Sequence, residues 1–238
     1  NLFLAALTHV TGDFPHAVKL SCEVLAIFGR IYPSTSENVT LRAHMHDGSV
    51  VEGETKISRS RKRIVKLELA PETAKPLRET LAAIAAADLI TYGPGSLYTS
   101  VIPNLLVNGV PAAIRRSRAA KAYFLNLMWQ PWETMNFSAF DHVQAILDHG
   151  GKRLINQVVL NSRPVTGDQR RRYAAEKVFP VELDRPRLEE LGLEMIERNL
   201  LAKSEKVRHD PASIAAVAMQ LAAQARLKRS QKRKGASK

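Results

Sequence analysis

The stretch ADLITYGPGSLYTSVIPNLLVNGV, residues 87–110, decides the fold class. DLITYG is a short apolar run that Gly93-Pro94-Gly95 interrupts; Ser96, Thr99 and Ser100 follow, then Pro103 and a second apolar run with helical spacing. A strand that turns through glycine into a helix is the repeating unit of a parallel sheet, whose neighbouring strands need a crossover connection. The small and hydroxylic residues at the turn admit two readings. In one, Gly93 and Gly95 only make the turn. In the other, they let the backbone approach an anion, the helix start offers unpaired N–H groups, and the hydroxyls add donors suited to phosphate. The spacing lacks the Gly-Lys-Ser/Thr of a P-loop and the third glycine of the dinucleotide fingerprint, so physics alone leaves the two readings level.

Outward from this stretch the same rhythm continues. KPLRETLAAIAAA precedes it as a helix; PAAIRRSR, the strand AKAYFLNL, the helix SAFDHVQAILDHG and the strand INQVVLNS follow. QRRRYAAE, FPVELD, RLEELG and LEMIERNLL extend the alternation, and Asp210-Pro211 combines an N-cap with a proline at the first helical position. Ser138 and Asp141 form an acidic variant of the capping box. The expected class is α/β: a parallel sheet with helices on both faces. Ahead of it, NLFLAALTHV reads as helix, and HAVKLSCEVLAIFG as a second helix with Val18, Cys22, Leu25 and Phe28 on one face. Between them and the sheet, NVTLRAHMH and SVVEGETKI alternate around Asp47-Gly48, and KRIVKLELAP adds a third strand, a small antiparallel β insertion at about 38–70. Residues 1–225 thus read as one α/β domain and 226–238 as a basic, disordered tail.

The chain has 238 residues, 45% of them apolar, enough for a substantial core. No apolar run approaches the roughly 20 residues of a membrane span and no signal-peptide pattern is present, so a cytoplasmic location is the default expectation. The single cysteine, Cys22, excludes an intrachain disulfide framework and reads as a buried, inert thiol. A net charge of +12 would ordinarily suggest nucleic acid, but RLKRSQKRKGASK holds seven of the basic residues and no acidic one, leaving about +5 elsewhere. No nucleic-acid motif accompanies it, and no specific nucleic-acid partner is expected. RSRKR at 59–63 reads as a polar hairpin tip or an exposed strand edge.

Ligands of an open parallel sheet sit beyond the carboxyl ends of its strands. Two loops should lie there: the one around Gly93–Ser100, and NLMWQPWETMNFSAFDH at 126–142. Asn126, Gln130, Glu133 and Thr134 are suited to reading a polar ligand. Trp129 and Trp132 suit either stacking on a base or sugar, or covering the core, and packing is the favoured reading. Asp141 and His142 are adjacent, hence about 100° apart on a helix, and form no catalytic pair. His44 and His46 share a strand face at metal-ligand spacing, but without further ligands nearby no metal is expected. Tyr173 and Arg208 read as surface residues, with Arg208 just ahead of the last helix a weak hint of an anion.

The stretches at 1–14, 87–110 and 126–143, with RYAAE and VRHD nearer the end, resemble the YvcK proteins, bacterial relatives of the phospholactate transferase CofD. The resemblance covers nearly the whole chain up to the basic tail, and GPGSLYTSxxPNLL is its most specific motif. It implies a Rossmann-like fold with a ligand cleft at the strand carboxyl ends, and a cytoplasmic regulator of cell shape, cell-wall precursor supply and gluconeogenic growth that binds UDP-N-acetylglucosamine. A protein partner in cell-wall precursor synthesis and a homo-oligomer go with it. By the same resemblance Gly93, Pro94, Gly95, Ser96, Thr99 and Ser100 would hold phosphates, Asn126, Gln130, Glu133 and Thr134 would line the cleft, and Tyr173 and Arg208 would contact the nucleotide-sugar. No catalytic residue is assigned, and no cofactor other than UDP-N-acetylglucosamine or another nucleotide as ligand. The alternatives are a CofD-like 2-phospho-L-lactate transferase acting on a deazaflavin, and a remnant that binds nothing. The family pattern has a Gly-rich strand-turn and an Asp-Asp-Gly-Gly segment ahead of the position of Asn1, so the chain is expected to start inside a domain. Its usual Asn-Leu-Met-Thr-Gln-Pro-Gly-Glu-Thr is here NLMWQPWET: Trp129 replaces a small hydroxyl and Trp132 a glycine. If that glycine served a positive φ, the loop should be reshaped.

Overall fold

The computed structural model describes residues 2–235. Two helices, α1 (Leu2–Thr11) and α2 (Phe14–Val24), lead into β1 (Thr40–Met45), β2 (Val50–Glu52), α3 (Glu54–Arg59) and β3 (Ile64–Ala70). Then come α4 (Arg78–Ala86), β4 (Leu89–Tyr92), a π-helical turn (Leu97–Val101), α5 (Ile102–Leu105), α6 (Val110–Arg116) and β5 (Ala120–Phe124). The chain continues through α7 (Ala139–Gly150), β6 (Gln157–Asn161), α8 (Gly167–Ala174), α9 (Arg185–Glu190), β7 (Glu194–Arg198) and α10 (Pro211–Gly235).

Strands β4, β5, β6 and β7 form a parallel sheet in that order. With sequential order and right-handed crossovers, the connecting helices gather on one face, so something else must cover the other. The side chains divide accordingly. Tyr123, Leu125, Val158 and Leu160 join the main core with residues of α5, α6, α7 and the insertion, whereas Ala122, Phe124 and Val159 face Leu200 and, from α10, Val217 and Leu221. Burial on both faces explains why these strands read as continuous apolar runs rather than alternating ones. The fold is therefore α/β with helices on both faces of a parallel sheet.

The insertion is a three-stranded antiparallel sheet with β1 in the centre, and it alternates as a half-buried sheet must: Leu41, Ala43 and Met45 point inward. Gly48 takes φ +80° in the expected turn. His149 of α7 docks the free edge of β3. Its Nε2 accepts the Leu67 N–H at 2.9 Å while Nδ1 donates to the Ala145 carbonyl at 2.7 Å, and burial holds its pKa below the usual value, keeping the ring neutral.

Four details depart from the sequence reading. The second helix ends at Val24, so Leu25 and Phe28 are exposed rather than on a buried face, because Ala26 turns to φ +49°. Glu54–Ile57, read as strand, belong to α3. His46 lies past the end of β1 at Met45, and His44 is taken by Glu68, which it bonds at 2.9 Å across to β3. The basic tail is not irregular as far as Gly235. Helix α10 runs through it on residues of high helix propensity, and Arg229 ties it down by donating to the Ala87 carbonyl at 3.2 Å and pairing with Asp88. Ala236–Lys238, the rest of that tail, lie outside the described residues. Cys22 is buried on α2.

Candidate functional site

All four parallel strands end on one side, and each of the loops expected to bind leaves from there. Gly93 follows β4 at φ +72°, and a Cβ on it would lie 3.2 Å from the Gly95 nitrogen and 3.4 Å from the Phe124 carbonyl oxygen. A side chain there would be strained by the positive φ and tight against the Gly95 nitrogen. Gly93, Pro94, Gly95 and Ser100 line a cavity of about 360 Å³. Ser96 leads into the π-helical turn that holds Thr99; such widened turns recur at functional sites.

The loop after β5 clamps this turn. Gln130 accepts the Leu97 N–H at 3.1 Å through Oε1 and donates to Ser96 Oγ at 2.7 Å through Nε2. Asn126 donates to the Gly95 carbonyl at 3.1 Å and in turn accepts from Tyr123 Oη at 2.9 Å; the Tyr123 ring is fully buried, which pushes its phenol pKa up. Thr134 is also fully buried. Its hydroxyl accepts the Gln130 N–H at 2.9 Å, so it shapes the loop and is closed to a ligand, unlike the cleft-lining place expected for it. Glu133 differs: its Oε2 is buried without a hydrogen-bond partner, and burial, with Glu54 second, raises its carboxyl pKa.

The two tryptophans have separate fates. Trp129 packs, edge-on to Phe179 at 5.3 Å between ring centroids, with its indole N–H donating to the Phe137 carbonyl at 3.1 Å. Trp132 is 45% exposed and holds φ +68°. Tryptophan thus occupies a left-handed conformation that glycine would take without strain.

Farther along the sheet end, Tyr173 on α8 accepts the Val207 N–H at 3.1 Å through its hydroxyl, which fixes the segment carrying Arg208. Arg208 is exposed, and its carbonyl accepts the Ala202 N–H at 2.9 Å. The structure so brings Tyr173 beside the Arg208 segment but into no cavity shared with Gly93–Ser100. A separate cavity of about 470 Å³ lies between Thr166–Arg172 and Leu201–Glu205. The link between the two halves is a residue the sequence reading passed over. His209 Nε2 donates to the Leu125 carbonyl at 3.2 Å, one residue before Asn126, and burial lowers its pKa so that the ring stays neutral. Its signal was its place in VRHD, beside Arg208. Among the described residues, no group of three or more His, Cys, Asp or Glu side chains converges on a metal position, and no single helix is long and apolar enough to cross a membrane.

A parallel sheet covered by helices on both faces, with a glycine turn clamped at the carboxyl ends of its strands, defines an α/β protein of Rossmann-like architecture. A family model described as 2-phospho-L-lactate transferase CofD matches residues 1–201. The gluconeogenesis factor of Bacillus subtilis is 41% identical over 222 residues, covering 93% of this chain and 70% of that protein. That of Halalkalibacterium halodurans is 40% identical over 215 residues, covering 90% and 67%. A crystal structure of a UPF0052 family member from Bacillus halodurans superposes with a TM-score of 0.87 at 39% identity, over 92% of this chain and 71% of that one. The chain belongs to the CofD family, among its YvcK-like gluconeogenesis factors.

Proposed function

We propose that this chain binds a nucleotide-sugar, UDP-N-acetylglucosamine, as a cytoplasmic regulator of cell shape, cell-wall precursor supply and gluconeogenic growth, acting through a protein partner and as a possible homo-oligomer. One observation carries this reading: Gln130 and Asn126 hold the Gly93–Ser100 turn while Tyr173 holds the Arg208 segment. In this reading Gly93–Ser100 takes the phosphates. The Arg208 guanidinium, ahead of α10, supplies the countercharge. Calorimetry on the full-length protein should give saturable heat with UDP-N-acetylglucosamine, weakened at least tenfold in Arg208→Ala. Unchanged affinity in that variant would sink the assignment of Arg208.

A transferase reading, 2-phospho-L-lactate to a deazaflavin, is favoured by Glu133, whose buried, unpartnered oxygen and raised pKa suit a group that handles a proton. Binding of a deazaflavin, with turnover lost in Glu133→Gln and no heat from the nucleotide-sugar, would replace the regulator by the enzyme.

A further inference from the structure

A groove of about 560 Å³ runs between the antiparallel insertion and α7, and it shares no lining residue with the cavity at Gly93–Ser100. Its size is that of a small-molecule site. One wall comes from the basic run at 59–63. Lys62 is engaged there, 2.7 Å from Asp47 and 3.0 Å from Ser49 Oγ. Arg61 and Arg63 line the groove, are exposed, and make no side-chain hydrogen bond or ion pair among the described residues.

The facing wall carries two acids, Asp141 and Asp148, and neither pairs with Arg61 or Arg63. The Asp141 carboxylate accepts from the Ser138 N–H and hydroxyl at 2.8 and 3.0 Å and lies 4.0 Å from Arg187, and Asp148 accepts from Gln144 at 2.6 Å. Aromatic rings supply the rest. Tyr98 and Phe137 meet edge to face at 6.2 Å, and Trp132 stands at the groove with nearly half its surface in solvent.

Backbone strain concentrates at the same place. Of the seven non-glycine residues with positive φ among the described residues, Arg61 (+54°), Trp132 (+68°) and Asn136 (+62°) all line this groove. Such conformations cost free energy and cluster where a side chain must be presented rather than merely packed. Two unpaired guanidiniums beside an exposed indole match one chemistry: a planar ring to stack and a phosphate to pair.

We propose that this groove is a second binding site, for a nucleoside phosphate, with the base on Trp132 and the phosphate on Arg61 and Arg63. It shares no lining residue with the sheet-end cavity, although Tyr98 and Trp132 belong to the two loops that build that end. The test titrates the full-length protein with ATP, UTP, adenosine and inorganic phosphate, following indole emission and heat. A nucleotide should quench emission saturably, and either fragment alone should bind at least tenfold more weakly. The pair Arg61→Ala/Arg63→Ala should weaken nucleotide binding at least tenfold, Trp132→Gly should abolish the quench without lowering the melting temperature, and Arg208→Ala should leave both within twofold. No binding of either nucleotide, full affinity in the double arginine variant, loss on Arg208→Ala, or tighter binding of a single-stranded oligonucleotide than of ATP would each overturn the proposal. Loss of UDP-N-acetylglucosamine binding alone would leave it standing.

Discussion

At the end of the parallel sheet, Gln130 and Asn126 each reach across to the Gly93–Ser100 turn, and Thr134 and Tyr123 hold those two in place. Beside α7, Arg61 and Arg63 reach across to nothing described, and Trp132 keeps an unfavourable backbone angle in half-open solvent. The first region is preorganised by hydrogen bonds between its own loops. The second keeps its charges uncommitted at the expense of local strain. Mutations should therefore act on stability in the first region and mainly on binding in the second.

The largest effect is expected at Gly93. Gly93→Ala places a Cβ against two backbone atoms at a positive φ, and should lower stability by about 2–4 kcal/mol in urea unfolding. Gly95→Ala, whose Cβ would meet only Ser100 at 3.4 Å without a positive φ, is the control and should cost under about 1 kcal/mol. Equal losses would mean that the turn is not fixed by backbone proximity. Next, Gln130→Ala removes two hydrogen bonds to the turn and should cost about 1–2 kcal/mol. A neutral result would break the contrast, since the clamp would then hold nothing.

His149 tests the wall between insertion and α7. Its folded pKa lies below the unfolded value, so the unfolded state binds the proton more readily, and the stabilisation is present above about pH 6.5 and lost as pH falls. Buried His142 and His209 are lowered in the same direction. Acidification from pH 6.5 to 5.5 should reduce the urea midpoint, and His149→Gln should make that loss smaller. An unchanged slope would place the titration elsewhere. The smallest effect has the opposite sign: Trp132→Gly relieves the left-handed strain and should raise stability by up to about 1 kcal/mol, read as a shift in melting temperature. A loss of that size would show that the indole is packed, erasing the distinction between the two regions.

The sequence made the site legible in proportion to how local its chemistry is. The Ser138–Asp141 box, the Asp210 cap and the Gly93 turn are written within a few residues, and each forms as read. Thr134 was misplaced because a hydroxyl that closes its own loop looks in sequence like one that faces a ligand. His209 was overlooked because its acceptor, Leu125, lies 84 residues away.

The alternation of apolar runs with glycine turns and capped helices determined the α/β class by itself, because helix periodicity, capping and glycine's φ freedom act over a turn or two. Only the tertiary structure decided that the basic tail continues as helix, held by Arg229 at Asp88, and that Trp132 accepts a glycine's backbone angle. It alone decided that Lys62 of RSRKR pairs with Asp47 while Arg61 and Arg63 make no side-chain hydrogen bond or ion pair among the described residues. Those outcomes depend on which distant groups meet, and a charge or an indole carries no local record of the partner that the fold will set against it.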